Sequence, residues 1–121
     1  MRFLIHGTLA PAVADAVRRH GHIAADAQMA ELPEGLAPDE LLTELHRRQL
    51  DVITNDSALV AAALEGRAKF QRCIGYLRLS GGDVEQTQAI DRLFGRYGRL
   101  SPRRLYTVTG TRVKVRQLPG A

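Results

Sequence analysis

Cysteine is almost missing from this chain. Cys73 is the only one among 121 residues, which excludes an intrachain disulfide and a cysteine-rich zinc site. No apolar run approaches the ~20 residues needed to span a bilayer. The amino end also lacks the basic start, long apolar stretch and small-residue cleavage site of a signal peptide. These absences predict a soluble cytoplasmic chain with no membrane partner. There is no glycine-rich phosphate loop and no GxSxG nucleophile elbow, so the two commonest signatures of nucleotide and ester chemistry are absent. Internal repeats and low-complexity tracts are absent too.

What is present fits one domain over residues 1–121, with 45% apolar and 25% charged residues. The charge is unevenly placed. Residues 1–65 hold 5 Lys/Arg against 10 Asp/Glu, a net of −5, whereas residues 66–121 hold 12 against 3, a net of +9. Such asymmetry suggests a basic surface for a polyanion beside an acidic region with another task. Arg72, Arg78, Arg96, Arg99, Arg103 and Arg104 are the candidates for a nucleic-acid-binding patch.

Periodicity orders the elements. The apolar run at 2–6 predicts a strand, and Gly7-Thr8 a turn with Thr8 as N-cap. Leu9, Val13, Ala16 and Val17 predict a helix over 9–20, with Pro11 tolerated in its first turn. A weak strand at 22–25 and a loop over 26–38 follow. Asp39 caps or opens a helix to about Gln49. A β-branched strand at 51–54 leads into a helix over 57–65. A strand at 73–78, a helix over 84–97 and a β-hairpin across 105–116 close the chain. This βαβ succession predicts an α/β fold with a mostly parallel sheet and a C-terminal hairpin at its edge.

In such a sheet, sites form outside the carboxyl ends of the strands. His6, Gly7 and Thr8 end the first strand, and Thr54, Asn55, Asp56 and Ser57 end the third. His6 is the one histidine at a strand end, where a ligand or general base is useful. His20 and His22 read as turn or surface residues, and His46 as a packed or partly exposed helical side chain. Asp56 can hold a divalent cation, or it can N-cap the next helix. Asp39 and Glu40 carry the same ambiguity, because acidic residues favour a first helical turn. Two carboxylate groups converging on one crevice suit a metal that activates water against a phosphodiester.

The run Arg2-Phe3-Leu4-Ile5 with Leu9-Ala10-Pro11, then Gly21-His22, Ala37-Pro38-Asp39-Glu40-Leu41-Leu42, Val52-Ile53-Thr54-Asn55-Asp56, Leu77-Arg78-Leu79-Ser80 and Arg112 to Pro119 resembles the short PIN-like nucleases, relatives of VapC-type toxin ribonucleases. The resemblance covers nearly the whole chain in order. It implies a PIN-like three-layer sandwich and hydrolysis of RNA by carboxylates holding Mg²⁺ or Mn²⁺. Carried over by position, Asp56 and Glu40, with Asp39, match acidic metal sites. Two positions depart from the pattern. His6 stands where the family has an aspartate, followed by Gly7-Thr8 instead of an acidic-amide pair. Ala58 stands where a second aspartate often follows the third strand. A neutral imidazole removes a negative charge and offers a borderline nitrogen, which disfavours Mg²⁺.

Two functions therefore compete. One is a metal-dependent ribonuclease, the toxin of a toxin–antitoxin pair, with Asp56 and Glu40 as ligands and His6 as a replacement ligand. Its partners would be RNA and an antitoxin protein. The other is a catalytically inactive PIN-like module that binds RNA or protein. By analogy with PIN-like relatives, a homodimer would form through the apolar helix 57–65 or the hairpin edge.

Overall fold

A computed structural model describes residues 1–119. Ten elements follow one another: β1 (Arg2–His6), α1 (Pro11–Arg19), β2 (Ile23–Ala25), α2 (Pro38–Arg48), β3 (Asp51–Thr54), α3 (Ser57–Leu64), β4 (Ile74–Leu77), α4 (Asp83–Arg96), β5 (Arg104–Val108) and β6 (Val113–Gln117). The six strands form one sheet in the order β2-β1-β3-β4-β5-β6. All neighbours are parallel except β5 and β6, so only the last strand of the predicted hairpin runs against the rest. Among the described residues, no helix is long and apolar enough to cross a membrane.

Both faces of the sheet are covered. Phe3, Ile53, Leu77 and Tyr106 pack with α1 and α4 on one side. Leu4, Val52, Ile74 and Leu105 pack with α2 and α3 on the other. Strands buried on two faces must be apolar nearly throughout, which is why 2–5 and 52–53 read as runs rather than as alternation. Leu59, Val60, Ala62 and Ala63 of α3 are buried in this second core, whereas Ala58 and Ala61 face outward.

The helix starts differ from the predicted ones. Thr8 does not cap α1, and Asp39 does not cap α2. Both helices begin at an Ala-Pro step, with Ala10 and Ala37 extended (ψ 150 and 157) and Pro11 and Pro38 in the first turn. Proline forces the residue before it out of the helical region, and its missing N–H costs nothing at a helix start. The steric rule of proline therefore overrides the weaker preference for a polar cap.

Because each crossover joins parallel strands, every helix runs back against the sheet. Strand carboxyl ends and helix amino ends share one rim, and strand amino ends and helix carboxyl ends share the other. The first turns of α2 and α4 carry Asp39, Glu40, Asp83 and Glu85, while the last turns of α1, α2 and α4 carry Arg18, Arg19, Arg47, Arg48 and Arg96. That arrangement suits the dipoles of α2 and α4 at both ends and of α1 at its carboxyl end.

Candidate functional site

In the order β2-β1-β3-β4-β5, the chain winds one way from β1 to β2 and the other way from β3 onward. The crevice at this reversal lies outside the carboxyl ends of β1 and β3. There a cavity of about 350 Å³ is lined by His6, Gly7, Thr8, Asn55, Asp56 and Ser57. The sequence reading named these residues, and register brings them together by pairing His6 with Thr54.

The two loops at the crevice are clamped to each other. Asn55 Oδ1 accepts the Thr8 backbone N–H at 2.9 Å, and Asn55 Nδ2 donates to Thr8 Oγ1 at 3.0 Å. Gly7 lies beneath this clamp at φ +92, and a Cβ there would run into Asn55 Oδ1. Both the positive φ and the close approach require glycine. Thr8, expected to cap a helix, instead ties the first loop to the third strand's end.

Thr54 is fully buried and organises the chemistry beside it. Its Oγ1 accepts the Asp56 backbone N–H at 3.0 Å and lies 2.9 Å from His6 Nδ1. A hydroxyl has one proton to donate and two lone pairs. Thr54 Oγ1 therefore accepts the Asp56 N–H and pairs with His6 Nδ1 in either ring tautomer. The imidazole is held in place, with Nε2 as its other polar atom. Burial lowers the His6 pKa from 6.5, against the opposing pull of Asp56. At neutral pH the residue is an uncharged imidazole.

Asp56 does N-cap α3, its Oδ1 accepting the Ala58 N–H at 2.9 Å. Asp39 and Glu40 stand in the first turn of α2 and do not line the crevice. Glu40 Oε1 is occupied by the Ala37 N–H at 2.9 Å. Among the described residues, no group of three or more His, Cys, Asp or Glu side chains is arranged to hold a metal ion. The crevice offers one carboxylate and one imidazole, fewer hard oxygens than the acidic set that the resemblance implies for Mg²⁺.

A second cavity of about 240 Å³ adjoins the first across His6, walled mainly by Leu4, Leu32, Pro33, Leu36 and Leu41 under the loop before α2.

The six candidate arginines divide. Arg96 ends α4, Arg99 and Arg103 lie in the loop after it, and Arg104 begins β5. These four are exposed at the amino-end rim. Arg78 follows β4 and stands at the opposite rim. Arg72 precedes β4 and is committed elsewhere: its Nη2 donates to Asp51 Oδ2 at 3.0 Å. Asp51 is 1% exposed, and its Oδ1 also accepts from Cys73 N at 2.9 Å and Cys73 Sγ at 3.2 Å. Burial, and then this carboxylate, push the Cys73 thiol up and keep it protonated. Sequence reasoning missed this cluster, because nothing local marks residues 51 and 73 as neighbours. His22 stands in the turn between α1 and β2, as read, and its ring also packs against Phe3 and Phe94.

The two perturbed histidines give a pH prediction. Burial lowers the pKa of both His6 and His22 below 6.5, and for His22 the neighbouring positive charges add to the effect. The unfolded chain therefore binds more protons than the folded one just below 6.5. Stability present above 6.5 is lost as pH falls towards the two folded-state values. Urea midpoints are expected to drop between pH ~7.5 and ~5.5, and a His6→Asn/His22→Asn double variant to flatten the profile. An unchanged profile in that variant would assign the titration to other groups.

The chain matches no protein-family model, no curated protein and no solved structure. Its function is to be argued from the site.

Proposed function

We propose that this chain is a PIN-like domain that binds RNA and has lost the metal-dependent cleavage of the nucleases it resembles. Position 6 carries the reading. The chemistry of that family needs a hard oxygen at the end of the first strand. Here the position holds an imidazole whose Nδ1 lies 2.9 Å from the Thr54 hydroxyl. Such a group supplies no negative charge and only a borderline nitrogen, a poor substitute for a hard oxygen on Mg²⁺. Asp56 is then the one carboxylate lining the crevice. The +9 charge of residues 66–121 supports the RNA half of the proposal.

One observation favours a second reading, a metal-dependent ribonuclease acting as a toxin under the control of an antitoxin protein. Asp39 and Glu40 open α2 at the same rim as the crevice. Cleavage separates the two readings. Incubated with single-stranded RNA in Mg²⁺ or Mn²⁺, the protein is expected to retain the RNA at low salt and leave it intact. Metal-dependent cleavage that disappears in Asp56→Ala would reject the proposal and establish the nuclease. Failure to retain any RNA would remove the RNA-binding function.

A further inference from the structure

We propose that the nucleic-acid surface is the amino-end rim of the sheet, opposite the crevice, and that it takes the phosphodiester backbone of a single strand. This rests on the RNA-binding reading above and goes beyond it in locating the surface and naming what is recognised.

The topology collects charge that is scattered in the sequence. Arg2 begins β1, Arg96 ends α4, Arg99 and Arg103 lie in the loop that follows, and Arg104 begins β5. All five are exposed, and none has an ion-pair partner among the described residues. By contrast, the crevice rim carries Asp39, Glu40, Asp56 and Asp83. A polyanion is repelled from that end and drawn to the other.

The arginine-bearing loop is held in place. Its Leu100 N–H donates to Met1 Sδ at 3.3 Å, tying it to the start of β1. Ser101 N–H donates to the Tyr106 hydroxyl at 2.8 Å. Arg103 N–H donates to the Arg72 carbonyl at 3.0 Å, and the Arg103 carbonyl accepts Leu118 N–H at 2.8 Å. The loop thus spans the strand ends from β1 to β5, a width of about 14 Å at ~4.8 Å per strand. The guanidinium groups are presented from a fixed backbone, so little ordering is needed when phosphates bind. At one end of the loop, Tyr97 packs edge-to-face against Tyr106 and has the Arg96 guanidinium 5.7 Å from its ring centre, which anchors that end of the loop to the core. Helix carboxyl ends share this rim, so no helix amino end helps to hold phosphate. Arginine side chains carry the binding, which makes it sequence-tolerant and steeply dependent on salt.

The experiment is fluorescence anisotropy of labelled oligouridine RNA and the matching DNA strand against the whole protein. With four phosphate contacts, log K against log salt is expected to slope at about −2.8, a loss of roughly 50-fold between ~50 and ~200 mM. Arg99→Gln/Arg103→Gln/Arg104→Gln removes three contacts and should flatten the slope to about −0.7. The Arg99→Lys/Arg104→Lys protein should keep the wild-type slope. Removing charge at the opposite rim, in Arg78→Gln/Arg112→Gln, should change affinity by less than about twofold, because those side chains lie away from the bound strand. All these side chains are exposed, and thermal melts verify that each variant folds. Equal binding of RNA and DNA supports backbone recognition. If the opposite-rim variant loses binding and the triple variant does not, the surface assigned here is wrong while RNA binding stands. No binding of either strand at low salt overturns both proposals, and binding of DNA alone overturns the RNA reading but keeps the rim.

Discussion

Aspartate in place of His6 is expected to raise Mg²⁺ affinity at the crevice by at least ~10-fold, since even changes to groups behind a metal's ligands move affinity by 10–100-fold. The reason is local. His6 and Asp56 line one cavity, and Asp56 keeps one carboxylate oxygen beyond the Ala58 N–H that its Oδ1 accepts. A carboxylate at position 6 adds a hard oxygen and a full negative charge beside it. Without metal, the same change destabilises the fold. Two carboxylates then repel each other across the crevice, and the Thr54 hydroxyl loses the ring nitrogen 2.9 Å away. Added Mg²⁺ should reverse that loss, because a ligand at 100 times its Kd stabilises the folded state by about 2.7 kcal/mol. Calorimetric titration and thermal melts with and without Mg²⁺ measure both effects. His6→Asp/Asp56→Ala should lose the gain. If His6→Asp binds Mg²⁺ no better than the native protein, the crevice has lost more of a metal site than one ligand.

Asp51→Ala is expected to have the largest effect on stability. The carboxylate is 1% exposed and serves three donors: Arg72 Nη2, the Cys73 backbone N–H and the Cys73 thiol. Removing it strands a buried N–H and a half-buried guanidinium at the start of β4. Breaking such a buried pair from one side costs about 3–5 kcal/mol, a large part of the ~5–15 kcal/mol that holds a domain of ordinary stability. Replacing both partners is a different experiment. Asp51→Val/Arg72→Met removes the charges together and should recover part of the loss, although the Cys73 N–H stays without its acceptor. Urea midpoints of Asp51→Val, Arg72→Met and the double variant form the cycle. If the single losses simply add, the two side chains are not coupled.

This cluster also shows where sequence reading stops. Arg72 belongs to the basic half of the chain, and its residue type suits phosphate contact. Its guanidinium instead faces a carboxylate 21 residues away. The glycine at position 7 was legible as a turn, but its close approach to Asn55 was not. Thr54 was legible as a strand end, yet its hydroxyl holds both the His6 ring and the Asp56 backbone N–H. In each case the residue's own neighbourhood in sequence is uninformative, because the partner arrives through strand pairing.

The sequence by itself determined the order and kind of the elements, since side-chain periodicity and proline or glycine punctuation are local properties. It also determined that the strand ends after 6 and 54 would be the place to look, because a βαβ succession leaves few alternatives. Only the tertiary structure decided which strands adjoin. The order β2-β1-β3-β4-β5-β6 sets His6 beside Thr54 and brings Cys73, ahead of β4, against Asp51 at the start of β3. It likewise gathers Arg2, Arg99 and Arg104 from separate segments onto one rim, because each helix must return against the sheet before the next parallel strand begins. Register and crossover direction are properties of how distant segments bury their apolar faces together, and no short stretch of sequence contains them.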